Sequence, residues 1–241
     1  MARSRVTVTL LVALLVTPLA LLEVACSRPP EQQLLTQFFR ASRARDNTTL
    51  AMMSAVEFDP REQGTVEDFS ITSSPPEETT PVDLKGLVAA VDKAEADERA
   101  FSQEKQAYQN EHLEDIEAVL KLEGTENPRY SAAQQTVKDE WDKWREETSE
   151  HAKAVSDARA ALQAAQGPIG SSLTQPGRPP FDPAQFDGSL VTKKVTLDAQ
   201  VKSPDGAVSP KTLTVTFQRA VGTFAGEQRE GRWIITAIDG V

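Results

Sequence analysis

Cysteine is almost absent from these 241 residues, and the single one, Cys26, excludes an internal disulfide framework and a cysteine-built zinc site. Histidine is nearly as scarce. His112 and His151 leave little material for metal binding or histidine catalysis. Aromatic residues make up 6% and apolar residues 39%, enough for a modest core but not a large one. Basic charge is also short, with 26 Lys+Arg against 36 Asp+Glu and a formal charge of −10. That balance argues against nucleic acid, because neutralising phosphates needs a basic surface. A Gly-rich phosphate loop, a GxSxG nucleophile elbow and an HExxH helix are all missing. No catalytic residue, metal ligand or cofactor is assigned on these grounds.

What is present begins at the N-terminus. Arg3 and Arg5 precede an uncharged, Leu/Val-rich run from Val6 to Leu22, broken only by Pro18. The run is slightly shorter than the ~20 residues a membrane-crossing helix needs, and it meets Glu23. Residues 1–25 are therefore expected to act as a removable signal peptide. Cys26 follows at once. The segment Leu22-Glu23-Val24-Ala25-Cys26 resembles the lipobox of bacterial lipoproteins, with Glu23 where an aliphatic residue usually stands. The resemblance implies that Cys26 is acylated, by palmitate or a similar chain, and becomes the new N-terminus. Several acyl chains would hold the protein to a bilayer. The expected location is the cell envelope, on the extracytoplasmic side of a membrane.

In the exported part, Glu31 to Arg45 reads as a helix, with Leu34, Leu35, Phe38 and Phe39 paired at i,i+4 on one face. Asp46-Asn47 stops it, and Asn47 is expected to cap a short second helix carrying Leu50, Met53 and Val56. Val66 to Thr72 reads as a strand, so 26–72 forms the first part of a domain. Residues 73–81 (SSPPEETTP) are expected to be a linker. Residues 82–166 contain proline only at Pro128 and are rich in Ala, Glu, Lys and Gln, a strongly helical composition. Gly124 and Asn127-Pro128 split them into two helices of about 36 residues, each ~55 Å long.

Heptad-like seams run along both helices. Val137, Trp141, Trp144, Thr148, His151, Val155, Ala158, Leu162 and Ala165 alternate spacings of 4 and 3. Leu84, Leu87, Val91, Ala94, Phe101 and Tyr108 follow the same rule, with Glu98 and Lys105 as polar intruders; beyond His112 the seam shifts to Leu113, Ile116 and Leu120. Folding at about residue 126 brings Tyr108 to Trp144 and Phe101 to His151, although each seam could instead bind another chain.

Residues 167–189, with five prolines and four glycines, read as a second linker. The segment 190–241 then alternates as a meander through Val191–Lys202 and Leu213–Val221, with Asp205-Gly206 at the turn. The last strand, Trp233 to Ile238, is apolar on both parities and is expected to be central or doubly covered. The expected fold is α+β: N-terminal helices packed on a curved antiparallel sheet, with a long antiparallel coiled-coil hairpin inserted between the first and second strands.

With the hairpin excised, the order resembles the α+β cone of the nuclear-transport-factor-2-like superfamily. The residues carrying the likeness are Gln37–Met53, Asp68–Ser73 and Gly231–Ile238. The resemblance implies a cone pocket, in which isomerase-like or dehydratase-like chemistry would need a buried acid or base. Asp68, Asp198 and Arg219 are the charged groups near it. Asp198 has solvent parity, whereas Arg219 shares the inward parity of Leu213, Val215 and Phe217 and is the candidate for binding an anionic ligand.

The hairpin holds 19 Asp+Glu against 11 Lys+Arg. Trp141 and Trp144 are large enough to anchor a partner or the hairpin's own core. The expected function is a non-enzymatic, membrane-anchored envelope protein whose hairpin serves as a spacer or protein-interaction arm. Its expected partners are the bilayer, through Cys26, and a protein. The alternative is a small-ligand binder or enzyme that uses the cone pocket, with the hairpin as its lid.

Overall fold

A computed structural model describes residues 29–56, 58–174 and 181–240; Cys26 and the segment 1–25, expected to be a signal peptide, lie outside them. Helix α1 (Pro30–Ala44) starts with proline, whose missing N–H costs nothing in a first turn. It buries Leu35, Phe38 and Phe39 to 2% exposure or less. Arg45 ends the helix in the left-handed region, at φ 54. Helix α2 (Asn47–Met53) is capped by Asp46, one residue before the cap expected from sequence, through its carboxylate and the Thr49 N–H. A short helix α3 (Pro60–Gln63) ends at Gly64 (φ 84), where a Cβ would strike the Lys202 carbonyl.

The sheet is antiparallel and built on two strands of 17 residues each, β3 (Phe186–Lys202) and β4 (Val208–Phe224). They pair without interruption from Phe186 opposite Phe224 to Lys202 opposite Val208. Two strands lie in tandem along the far side of β3: β1 (Thr65–Ser73) and β2 (Glu78–Val82). Along the far side of β4 lie β5 (Glu227–Glu230) and β6 (Ile234–Asp239).

One sequence expectation changes here. Residues 78–82 form strand β2 and not a linker, so the helical hairpin follows the second strand instead of the first. Strand β2 pairs with β3 alone, and such an edge position tolerates Pro81. Strand β6 meets its expectation through the second of the two alternatives, with Ile234 and Ile235 on opposite faces each 1% exposed. It pairs with β4 on one side and meets only the isolated bridge from Ser54 on the other.

Because side chains alternate across a strand, the uninterrupted β3–β4 register sorts the buried residues by parity. Val195, Leu197, Ala199 and Val201 share one face with Leu213, Val215 and Phe217, and this face packs on Leu35, Phe38, Phe39 and Phe58. Phe186, Leu190, Ala220 and Phe224 have the other parity and pack on Leu84, Leu87, Ile169 and Leu173. The ribbon therefore carries two cores, one near each end and on opposite faces.

The second core holds the root of the hairpin, which consists of α4 (Leu84–Glu111), α5 (Leu113–Glu123) and α6 (Ala132–Leu173). Its first arm is broken at His112, where the spacing of apolar residues shifts. A reciprocal Ser131–Gln134 capping box starts α6. That helix runs for 42 residues through Pro168, beyond the boundary expected at residue 166. The proline removes the hydrogen bond to the Ala164 carbonyl, which is at an exposed position where water can serve it. Burial of Ile169 (0% exposed) and Leu173 in the second core holds the last turns helical.

Candidate functional site

The arm is built by its seam. Phe101 stacks on His151 with centroids 4.5 Å apart, and Trp144 lies between Phe101 (5.3 Å) and Tyr108 (5.5 Å). These pairings close α4 on α6 in the register expected from sequence. One polar intruder, Lys105, meets a polar residue of the facing seam: its ammonium donates to Thr148 Oγ1 at 2.7 Å and sits 5.4 Å over the Trp141 ring. Trp141 itself is 9% exposed. Both tryptophans thus have contacts inside the arm. Arg159 reaches Glu95 across the hairpin at 2.8 Å, and Arg145 reaches Glu123 at 3.0 Å.

Packing of the arm on the sheet is confined to its root: Leu84 and Leu87 from α4, and Leu162, Ala165, Ile169 and Leu173 from α6. From Leu162 back to Ala132, α6 extends about 45 Å. The root is locked by Ser172, 3% exposed. Its hydroxyl donates to the Arg232 carbonyl (2.8 Å) and accepts the Ala220 N–H (3.0 Å). A Cβ on Gly231 would strike that hydroxyl.

Arg219 lies on the same face as the first core but outside its cluster of buried apolar residues. Its guanidinium stands 4.5 Å over the Trp233 ring and pairs with Glu77 (3.2 Å) and Glu230. Two carboxylates from this chain therefore occupy the group expected to receive an anion. Next to it in the register, Lys193 pairs with Glu31, which is 7% exposed and also accepts from Ser74 Oγ at 3.1 Å. Burial alone would raise the Glu31 carboxyl. Burial is the largest single influence, but the hydrogen bond from Lys193, the backbone, the Lys193 charge and Ser74 together outweigh it and hold the carboxyl below its ordinary value of 4.5. Asp198 faces solvent and accepts from Thr212 Oγ1 at 3.0 Å; Asp68 is exposed on β1.

The interior between α1 and the sheet is filled. Phe38, Phe39, Phe58 and Phe69 make edge-to-face contacts at 5.4–5.8 Å among the apolar residues of the first core. A concavity of ≈ 530 Å³ lies instead between α2 and α3. Leu50, Val56 and Phe58 form its floor, and Arg45 and Arg61 its rim. Sequence reasoning missed this cleft; the only available signal was the density of arginines around a short helix.

No protein-family model, curated protein or solved structure matches the chain. Among the described residues, no helix is long and apolar enough to cross a membrane, and no three His, Cys, Asp or Glu residues group to hold a metal ion.

Proposed function

We propose that the chain is an exported protein, held to a membrane surface through acylated Cys26, that displays its helical hairpin as an arm for contact with another protein and performs no catalysis. The observation that carries this reading is the arm itself. Its helices bury only their root in the sheet domain and spend the remaining ~45 Å on a self-paired, heavily charged shaft. An element of that length adds little to the stability of the domain that bears it, so reach is its contribution. The leader sequence and the position of Cys26 support the anchor.

The pocket alternative draws no such support. Aromatic side chains fill the interior of the first core, and Arg219 is engaged by Glu77 and Glu230. The hairpin root packs on the opposite face of the ribbon from α1, a poor position for a lid over that interior.

Two measurements test the reading. Membrane fractionation with labelled fatty acid should move the Cys26→Ser variant into the soluble fraction without label; retention with label would remove the anchor. In-cell cross-linking should give a specific adduct that disappears when residues 91–160 are replaced by a short turn. An identical adduct profile after that replacement would end the interaction role.

A further inference from the structure

Two surfaces of this chain complement each other. The first is the far end of the arm. After the break at His112, α5 turns Ile116 (2% exposed) and Val119 (0%) into the hairpin. Leu113 and Leu120, seven residues apart and so on one helical face, remain 46% and 41% exposed. Glu114 and Glu117 lie exposed beside them and make no ion pair among the described residues. A short helix apolar on two sides has one face left to cover.

The second surface is the α2–α3 cleft, whose ≈ 530 Å³ falls within the range of occupied binding sites. Its apolar floor is Leu50, Val56 and Phe58, and the guanidinium groups of Arg45 and Arg61 on its rim have no carboxylate partner among the described residues. Asp59, also on the wall, accepts the Arg61 backbone N–H at 2.8 Å. No α5 residue lines the cleft of its own chain.

We propose that the arm tip of one copy docks into the α2–α3 cleft of a second copy, with Leu113 and Leu120 on the apolar floor and Glu114 and Glu117 against Arg45 and Arg61. The inference rests on the reading of the arm as a protein-interaction element and names its partner. Charge sign favours the pairing: an acidic, leucine-bearing knob meets an apolar-floored hollow whose described lining carries Arg45 and Arg61 against Asp59 alone. Anchoring both copies in one bilayer would raise their effective concentration and so assist a contact of small area. Tip and cleft are different surfaces, so the contact is heterologous, closing into a ring or running on as a chain of copies.

The test uses the full chain in its membrane, with Lys121 on α5 replaced by the photo-cross-linker benzoylphenylalanine. Irradiation should give a product of twice the chain mass, with the cross-linked peptide falling within residues 45–61. Arg45→Glu with Arg61→Glu should reduce its yield about tenfold, as should raising the salt to about 0.5 M. Adding Glu114→Arg and Glu117→Arg to the cleft variant should restore the yield, which also verifies that the reversed cleft still folds. A cross-link to a different protein, or to another surface of the second copy, overturns this docking but leaves the arm an interaction element. Absence of any adduct, together with an unchanged profile on shortening the arm, overturns both readings.

Discussion

The two ends of the β3–β4 ribbon are stabilised on different scales. At one end fourteen buried residues from α1, α2, the sheet and the α2–β1 connection form a continuous core. At the other, four buried residues and their half-buried neighbours hold the root of a hairpin that extends about 45 Å beyond them. Side chains from elements distant in sequence knit the first end together; the second end is a docking of two helices on one sheet face. The contrast implies that the arm can loosen at its root while the first core stays folded, in the manner of sub-global opening.

Phe38→Ala should break the stronger end. Its ring is fully buried against Phe39 and Phe58, so its loss should cost about 3–5 kcal/mol and lower the denaturation midpoint of the whole chain. Ile169→Ala, at the root, should cost about 2–5 kcal/mol locally. Hydrogen exchange would then speed up in α4 and α6 while the amides of β3 from Val195 to Val201 keep their protection. Equal acceleration in both regions would contradict the separation of the two cores. Glu31→Gln should cost about 1–2 kcal/mol, because it leaves Lys193 partly buried without its counter-charge. The Glu31 carboxyl is held below 4.5 in the folded chain, so its contribution is complete above that pH and is lost as pH falls through the depressed value. Chemical unfolding between pH 3 and 7 should therefore show the variant and the parent converging at the acid end. Smallest of all, Arg159→Ala removes an exposed cross-arm pair with Glu95 and should change stability by less than about 1 kcal/mol.

Much of the architecture was legible because its signals were local and periodic. The Phe38-Phe39 face, the alternation Leu213-Val215-Phe217 and the aromatic register of the hairpin all follow from spacing alone. What escaped depended on tertiary partners. Strand β2 carries Pro81 and two threonines, and only the free side of β3 from Gly188 to Thr192 makes it a strand. The end of α6 contains Gly167, Pro168 and Gly170, three breakers overridden by the burial of Ile169 and Leu173. The break at His112 was visible as a shift in spacing, but Val119 takes the inward place assigned to Leu120. Arg219 was correctly placed on the inward face by parity. Parity could not reveal that Glu77, from the β1–β2 connection, and Glu230, from β5, would already hold it.

Pro168 also gives the arm a mechanical character. By the pairing that joins Phe101 to His151, Gly167 and Pro168 lie level with Gly86 on α4, so both helices carry poor helix formers at the same height, within the root that packs on the sheet. A long stiff body pivoting at such a point is a lever. A tilt of about 10° there would sweep a tip about 54 Å away through about 9 Å, enough to exchange one surface neighbour for another while β3 and β4 stay paired.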